Sequence, residues 1–145
     1  MPKKRSKYAA GRGFTLIEIL VVVVIIGLLA SLVGPALFKK VGSSRQKTAM
    51  AQISMLETAL KTYRLDTGRY PTTEEGLKAL VVKPEGLKSW DGPYLEKDLP
   101  MDPWGNLYLY KCPGEKTEYE IASYGGDGKP GGEGEDKDIF SWEVR

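Results

Sequence analysis

Histidine is absent from this 145-residue chain, and cysteine occurs once, as Cys112. The lack of histidine excludes Ser-His and Cys-His nucleophile pairs and His-containing zinc sites. The single cysteine excludes an internal disulfide bond, whichever compartment the chain occupies. Hydrolysis by paired carboxylates stays open in principle, but no spacing in the sequence favours it. The sequence therefore predicts that the chain is not an enzyme.

Acidic residues are missing from the first 13 positions, which carry five of the 21 Lys and Arg residues. The rest of the chain has 16 basic and 19 acidic residues, a net charge of −3. A basic segment on a mildly acidic body argues against nucleic acid as a partner, because phosphate binding needs a basic body. Such a segment is typical of the topology signal of a membrane protein. Residues 1–13 are called the basic leader below.

Charged side chains are also absent from residues 19–38. A helix of this length, at ~1.5 Å per residue, spans roughly 30 Å, the thickness of the hydrocarbon core of a bilayer. The β-branched residues at its centre would suit a strand in water, but a lone strand in lipid would leave its backbone groups unpaired. The segment is longer than the apolar core of a cleaved secretory signal. It predicts a transmembrane helix over residues 14–38.

Two features of this segment need an explanation. Glu18 lies almost at its start, where a carboxylate in hydrocarbon costs at least ~2.5–3.5 kcal/mol and needs a partner. In one interpretation the chain has a plain signal anchor, and Glu18 is an interfacial residue whose carboxylate snorkels to the membrane surface. In the other, Glu18 functions together with the basic leader and the Gly13-Phe14 junction. Pro35, after Gly34, predicts a kink or a local loss of helix, because proline removes one helical hydrogen bond.

Apolar residues then recur at i, i+3, i+4 and i+7 spacings, which predicts an amphipathic helix over residues 39–67 that continues the membrane helix. Gly68 suits the position just after its last residue, and Pro71 lies just beyond. The apolar stripe consists of Ala49, Met50, Ile53, Leu56, Leu60 and Tyr63. This stripe needs a cover, which must come from residues 70–145.

Residues 68–145 predict a globular head. Thr72 and Glu75 form a capping box that would open a short helix through about Leu80. Two short strands, over residues 107–111 and 118–123, form an antiparallel hairpin able to pack on the stripe. Three residues in the segment between the short helix and the hairpin are predicted to anchor that segment by packing: Trp90, Tyr94 and Leu95. The predicted fold class is α+β, a long N-terminal helix packed by a small antiparallel sheet.

Glycine and acidic residues dominate residues 125–138. Composition alone favours a disordered acidic tail, because such a segment buries little apolar area. However, residues 139–142 are an apolar clasp, and a loop held at both ends by Tyr124 and Trp142 could be ordered by a hard cation. Ca²⁺ takes 6–8 oxygen ligands, and glycines let the backbone turn its carbonyls inward. The residue spacing of an EF-hand is absent.

The hexapeptide Gly13-Phe14-Thr15-Leu16-Ile17-Glu18 resembles the processing site of type IV pilins and of the pseudopilins of type II secretion. In that family the prepilin peptidase, a membrane-embedded aspartyl peptidase, cuts after the glycine and N-methylates the new terminal phenylalanine. The resemblance implies that Gly13 ends the leader, that Phe14 begins the mature chain, and that Glu18 is the fifth mature residue. The freed amino group of a neighbouring subunit would then neutralise Glu18 and fix the axial stagger between subunits. Pilin-like proteins also carry a proline at the place of Pro35, where assembled filaments tend to unwind the helix.

Further motifs, in the same order along the head, resemble the major pseudopilin of type II secretion systems. They are residues 67–77, 92–95, 102–106, 125–128 and 131–136. The resemblance implies a structural Ca²⁺ site with side-chain ligands from Asp127, Asp136 and Asp138 and carbonyl ligands from Tyr124 and Lys129. The resemblance leaves open whether Glu133 and Glu135 are ligands or only add negative charge to the loop. Leu107 departs from the family, which commonly has proline there, and Cys112 has no family role.

The function that this resemblance implies is that of a filament subunit. The chain would be a single-pass inner-membrane protein with its C-terminal domain in the periplasm, and it would polymerise into a helical homo-oligomer, the pseudopilus. Its partners would be minor pseudopilins, the inner-membrane assembly platform and the prepilin peptidase. Filament growth would drive folded proteins across the outer membrane. Two alternatives stay open: a type IV pilin of a surface fibre, and a Ca²⁺-dependent binding module on a signal anchor.

Overall fold

A computed structural model describes residues 13–144, apart from the side chains of residues 36–39. Except for Gly13, the basic leader lies outside the described residues. The first element is the helix α1 (Leu16–Thr67). The chain divides within α1 into two compact units, the first ending at Phe38 and the second beginning at Lys39.

In the first unit, the described residues are the non-helical residues 13–15 and the start of α1, and no other part of the described chain covers them. Thr15 begins the helix, since its carbonyl accepts hydrogen bonds from the amides of Glu18 (3.1 Å) and Ile19 (3.3 Å). The large apolar side chains from Phe14 to Val33 are 48–85% exposed. An apolar surface of this extent marks a membrane or an interface between proteins. The membrane helix predicted from the sequence fits this arrangement.

Pro35 lies inside α1. The local loss of helix predicted at this position is therefore not seen in the described chain. Proline removes a single i→i−4 hydrogen bond. The helix therefore continues across this position, held by the hydrogen bonds of the turns on either side.

In the second unit, α1 ends where the sequence predicts. The amide of Gly68 donates a hydrogen bond to the Arg64 carbonyl (2.8 Å), and Gly68 has a φ of +79°. A left-handed glycine in this position terminates a helix by satisfying one of its last carbonyls. The predicted stop at Thr67 is confirmed.

The apolar stripe of α1 is buried, with one correction. Ala49, Ile53, Leu56, Leu60 and Tyr63 form the core face of the helix. Met50 does not belong to it, because its side chain is exposed, and Ala59 is buried instead. A small residue lets the head approach the helix closely at that position. The predicted cover from the C-terminal part of the chain is confirmed, and its buried residues are Leu77, Ala79, Leu80, Leu95, Tyr108, Tyr119, Ile121 and Ile139.

The predicted capping box forms, but the helix after it is shorter than expected. The amide of Thr72 donates to Glu75 Oε2 (2.8 Å), and the amide of Glu75 donates to Thr72 Oγ1 (3.2 Å). Gly76, with a φ of +59°, then ends this single turn, and a 3₁₀ helix over Leu77–Leu80 follows. The left-handed backbone of Gly76 is incompatible with a continuous α-helix.

Arg69 and Glu75 make the capping box sensitive to pH. Arg69 Nη1 and Nη2 lie 2.6 and 2.7 Å from the two Glu75 oxygens, and these hydrogen bonds lower the pKa of the Glu75 carboxyl. Since the pKa is lower in the folded state, the stabilisation is present at neutral pH and is lost as the pH falls through the lowered pKa. Glu75→Gln, which keeps the cap, should lower the free energy of unfolding at pH 7 by up to ~1 kcal/mol. The difference from wild type should narrow below about pH 4.

Chemical denaturation of the full-length chain in detergent micelles at several pH values measures this effect. Glu115→Gln is the matched control, since it removes an exposed ion pair with Lys111 (Nζ–Oε1 2.6 Å). It should change the stability much less than Glu75→Gln. A Glu75→Gln effect that stays constant down to pH 3 would contradict the assignment to the Arg69–Glu75 pair.

A three-stranded antiparallel sheet covers the helix, in the order β1 (Leu109–Lys111), β2 (Glu120–Ser123) and β3 (Ile139–Phe140). The predicted hairpin of β1 and β2 is confirmed, with shorter strands and Tyr110 opposite Ile121. The third strand was not predicted, because two residues are too short for a periodic pattern. It is the apolar clasp of the sequence, with Ile139 buried and opposite Ser123.

The connection between the 3₁₀ helix and the sheet is held by its aromatic residues. Trp90 Nε1 donates to the Ala79 carbonyl (2.8 Å), and the ring of Tyr94 packs edge-on to that of Tyr63 at 5.5 Å. Leu95 is buried. These residues are therefore packing anchors, as predicted.

Candidate processing site and cation-binding loop

The Gly13-Phe14 peptide bond precedes the helix. Residues 13–15 have no regular secondary structure, no atom from elsewhere in the described chain lies within 4 Å of a Cβ built on Gly13, and Phe14 is exposed. A bond in such a segment is open to a peptidase, because cleavage requires backbone that is free of helical hydrogen bonds. The predicted cleavage between Gly13 and Phe14 is thus sterically possible.

Glu18 has a local role that the sequence analysis missed. The Thr15 hydroxyl accepts a hydrogen bond from the Glu18 amide (3.3 Å), so Thr15 is the N-cap and Glu18 occupies the third helical position. Thr-x-x-Glu is the pattern of a capping box, and this signal is readable from the sequence. The carboxylate of Glu18 also lies in the first turn, where the helix dipole favours negative charge. These effects favour a charged group at the helix start and do not by themselves supply the counter-ion that hydrocarbon requires.

The Gly-rich loop of the head is folded against its own return segment. The amide of Gly126 donates to the Glu135 carbonyl (2.9 Å). A Cβ at Gly125 would lie 2.7 Å from the carbonyl carbon of Asp136, and the φ of Gly125 is +63°. Only glycine fits such a close backbone contact at a left-handed position. The two arms of the loop are therefore in contact near Gly125, and the tail is not the free acidic chain that composition alone would favour.

Two of the three carboxylates predicted as ligands accept hydrogen bonds from backbone amides of the loop. Asp127 Oδ1 accepts a hydrogen bond from the Lys129 amide (3.0 Å), and Asp138 Oδ2 accepts one from the Gly131 amide (2.9 Å). Asp138 Oδ1 is buried and has no hydrogen-bond partner among the described residues. A buried carboxylate oxygen without a donor costs on the order of 1–3 kcal/mol, which a bound cation would offset.

The donor chemistry of the loop fits a hard cation. It offers carboxylate and backbone oxygens, with one carboxylate oxygen buried and unpartnered. Within residues 13–144, however, no three Asp, Glu, His or Cys side chains are grouped closely enough to hold a metal ion by themselves. A site here would therefore also depend on backbone carbonyls, for which Tyr124 and Lys129 are the predicted sources.

Glu135 contacts the helix. Its Oε2 lies 3.4 Å from Arg45 Nη1, and its side chain covers Gly42 so closely that a Cβ there would lie 2.6 Å from Glu135 Cγ. Gln46 Nε2 donates to the carbonyl of Gly134 next to it. Residues 134–135 are thereby docked on α1. No sequence pattern predicts this contact, since Arg45 and Glu135 are 90 positions apart.

Residues 36–142 match the family described as type II secretion system (T2SS), protein G. The chain belongs to this protein G family. Residues 10–34 also match the prokaryotic N-terminal methylation motif, and this match includes Gly13, Phe14 and Glu18. The apolar helix and this motif together fit a membrane-anchored component of a secretion system.

Relatives in this family resemble the chain along nearly its whole length. The type II secretion system core protein G of Pseudomonas aeruginosa is 46% identical over 90% of this chain and 94% of the relative. That of Aeromonas hydrophila is 47% identical over 100% of this chain and 98% of the relative. Among solved structures, the major pseudopilin of the type 2 secretion system of enterohaemorrhagic Escherichia coli matches with a TM-score of 0.60. It is 40% identical and covers 70% of this chain and 89% of its own.

The matches confirm the α+β architecture expected from the sequence, a long N-terminal helix with a small antiparallel sheet. Protein G relatives are structural pseudopilins, so the family is not one of enzymes. The Ca²⁺ ligands stay a prediction.

Proposed function

We propose that this chain is the major structural subunit of the type II secretion pseudopilus, with no catalytic role of its own. The observation that carries the proposal is the exposed apolar start of α1, preceded by a non-helical Gly13-Phe14 bond and containing a single carboxylate. An apolar helix of this length is suited first to the bilayer and then to the core of a helical filament.

Cleavage after Gly13 would create the partner that Glu18 lacks. The reaction frees the α-amino group of Phe14, and N-methylation leaves it basic. In a filament, this amino group of one subunit pairs with Glu18 of its neighbour and removes the cost of a lone charge in hydrocarbon. Because the pair forms at only one axial offset, it also sets the stagger of the helices.

The topology follows from the charges at the N-terminus. The five basic residues of the leader stay in the cytoplasm, where the prepilin peptidase removes them. The helix then crosses the inner membrane and carries the head into the periplasm. There the subunit joins minor pseudopilins on the inner-membrane assembly platform, and filament growth drives folded proteins across the outer membrane.

In the head, the loop of residues 124–138 would hold a structural Ca²⁺. The side chains of Asp127, Asp136 and Asp138 and the carbonyls of Tyr124 and Lys129 are the proposed ligands. The support is the buried Oδ1 of Asp138, which has no hydrogen-bond partner within residues 13–144. When bound, the ion would neutralise these carboxylates and join the two arms of the loop.

N-terminal sequencing and intact mass of the subunit purified from membranes test the processing step. The expected chain begins at Phe14 and carries one added methyl group. A Gly13→Leu variant, in which the residue before the scissile bond is bulky, should accumulate with its leader attached. A wild-type subunit that still begins at Met1 would overturn the proposed function.

A further inference from the structure

A buried carboxylate lies under the cation-binding loop. Asp102 is 4% exposed, and both its carboxylate oxygens accept hydrogen bonds. Its Oδ1 accepts hydrogen bonds from the amides of Trp104 (3.1 Å) and Asn106 (2.8 Å), and its Oδ2 accepts one from the Ser123 hydroxyl (2.6 Å). A buried charge is tolerated when it is satisfied in this way. The carboxylate therefore fixes the turn of residues 102–106 to the end of β2.

These hydrogen bonds are part of a closed ring that also includes Gly125, a residue of the loop. The Ser123 hydroxyl, which donates to Asp102, accepts a hydrogen bond from the Gly125 amide (3.3 Å). Asn106 Nδ2 donates to the Gly125 carbonyl (3.1 Å). Both backbone polar groups of Gly125 are thus held by side chains that depend on the same buried carboxylate.

Gly125 lies where the two arms of the loop touch. Tyr124 and Asp127, proposed ligands from the first arm, are its near neighbours in sequence. Its Cα lies against the backbone of Asp136, a proposed ligand from the second arm. A Cβ on Gly125 would lie only 2.7 Å from the Asp136 carbonyl carbon, so there is no room for a side chain. Holding Gly125 therefore sets the separation between ligands from the two arms.

We propose that Asp102, Ser123 and Asn106 are positioning residues of the cation-binding loop. The proposal rests on the Ca²⁺ site proposed above. The ring holds Gly125 before a cation binds, so binding has less backbone to order and the affinity is higher. Residues that orient metal ligands in this way contribute roughly 10–100-fold to metal affinity.

A purely structural network would have a different signature. If the ring only stabilised the head, its loss would lower the melting temperature equally with and without Ca²⁺ and leave the dissociation constant unchanged. A positioning role raises the dissociation constant. The dissociation constant therefore separates the two roles.

The test uses Asn106→Ala and Ser123→Ala, which open the ring from opposite sides and introduce no new charge. The full-length chain in detergent micelles, freed of metal with a chelator, is titrated with Ca²⁺ by isothermal calorimetry and melted in the presence of chelator. Thr73→Val is the matched control. Its hydroxyl also bonds to both backbone groups of one residue, Cys112 (both 3.0 Å), outside the loop.

Each ring variant should raise the Ca²⁺ dissociation constant by ~10-fold or more, and Thr73→Val should leave it unchanged. Ser123→Ala removes one oxygen atom, and a metal-free melting transition shows that it is folded. Unchanged affinity in the ring variants, or an equal loss in Thr73→Val, would overturn the positioning role alone. No binding by wild type would instead overturn the proposed cation site.

Discussion

Replacing Glu18 with alanine is expected to lower the yield of filaments by at least ~10-fold and to leave the subunit in the membrane. Insertion becomes easier without the carboxylate, but assembly loses the pair with the neighbour's amino group. In the variant, the neighbour's amino group is left as a lone charge in hydrocarbon, which costs at least ~2.5 kcal/mol. A tenfold change in an equilibrium constant corresponds to ~1.4 kcal/mol. Filament yield should therefore fall by at least ~10-fold, as measured by electron microscopy and by cysteine cross-linking between adjacent subunits in membranes.

Thr15→Ala is the control for this experiment. The structure assigns Glu18 to the first turn of α1, with its amide on the Thr15 hydroxyl, so a loss of filaments could arise from a frayed helix start. Thr15→Ala removes that cap and keeps the carboxylate, at a cost of about 1 kcal/mol in helix stability. It should still assemble. Normal filaments from Glu18→Ala, or equal loss in both variants, would show that the carboxylate does not set the stagger.

Removing Ca²⁺ should lower the melting temperature of the head by ~10 °C or more. A ligand at 100 times its dissociation constant stabilises the folded state by ~2.7 kcal/mol, and each kcal/mol moves the transition of a domain of this size by roughly 4–8 °C. The measurement is circular dichroism of the full-length chain in detergent micelles, with Ca²⁺ and with an excess of chelator. Mg²⁺ should substitute poorly, because it demands a tighter octahedral set of oxygens.

Asp138→Asn connects this shift to the loop. It removes the charge of the residue whose Oδ1 is buried without a partner. Its melting temperature should be nearly the same with and without chelator. Asp98→Asn, a change of the same chemistry at an exposed position, should keep the full shift. If the melting temperature of the wild-type chain does not change when chelator is added, the proposed metal site is wrong.

Residues 134–135 of the loop dock on α1 just after its exposed apolar part. Glu135 covers Gly42 and contacts Arg45, while its backbone carbonyl accepts the Gly126 amide. The same residue thus contacts both the helix and the first arm of the loop. Glu135 therefore packs between the helix and the first arm of the loop, a role that does not require it to be a metal ligand.

Several features could be predicted because their causes are local. The helix stop at Gly68 and the Thr72–Glu75 capping box depend on residues within four positions of one another. The Thr15–Glu18 cap was equally readable and was missed, because Glu18 was considered only as a membrane charge. Met50 was misplaced because helical spacing locates a stripe to within about one neighbour, and packing against the head decides its edge.

Four features can be read from the sequence without the structure: a membrane-length apolar helix, a single carboxylate at its start, an amphipathic continuation and a β-hairpin. These follow from periodicity and from the absence of charge, which act along the chain. Three further features are visible only in the folded chain: the pairing of β3 with β2, the docking of Glu135 on Arg45, and the ring that joins Asp102 to Gly125. Those contacts join residues far apart in sequence, and they form only when burial of the α1 stripe has brought the segments together.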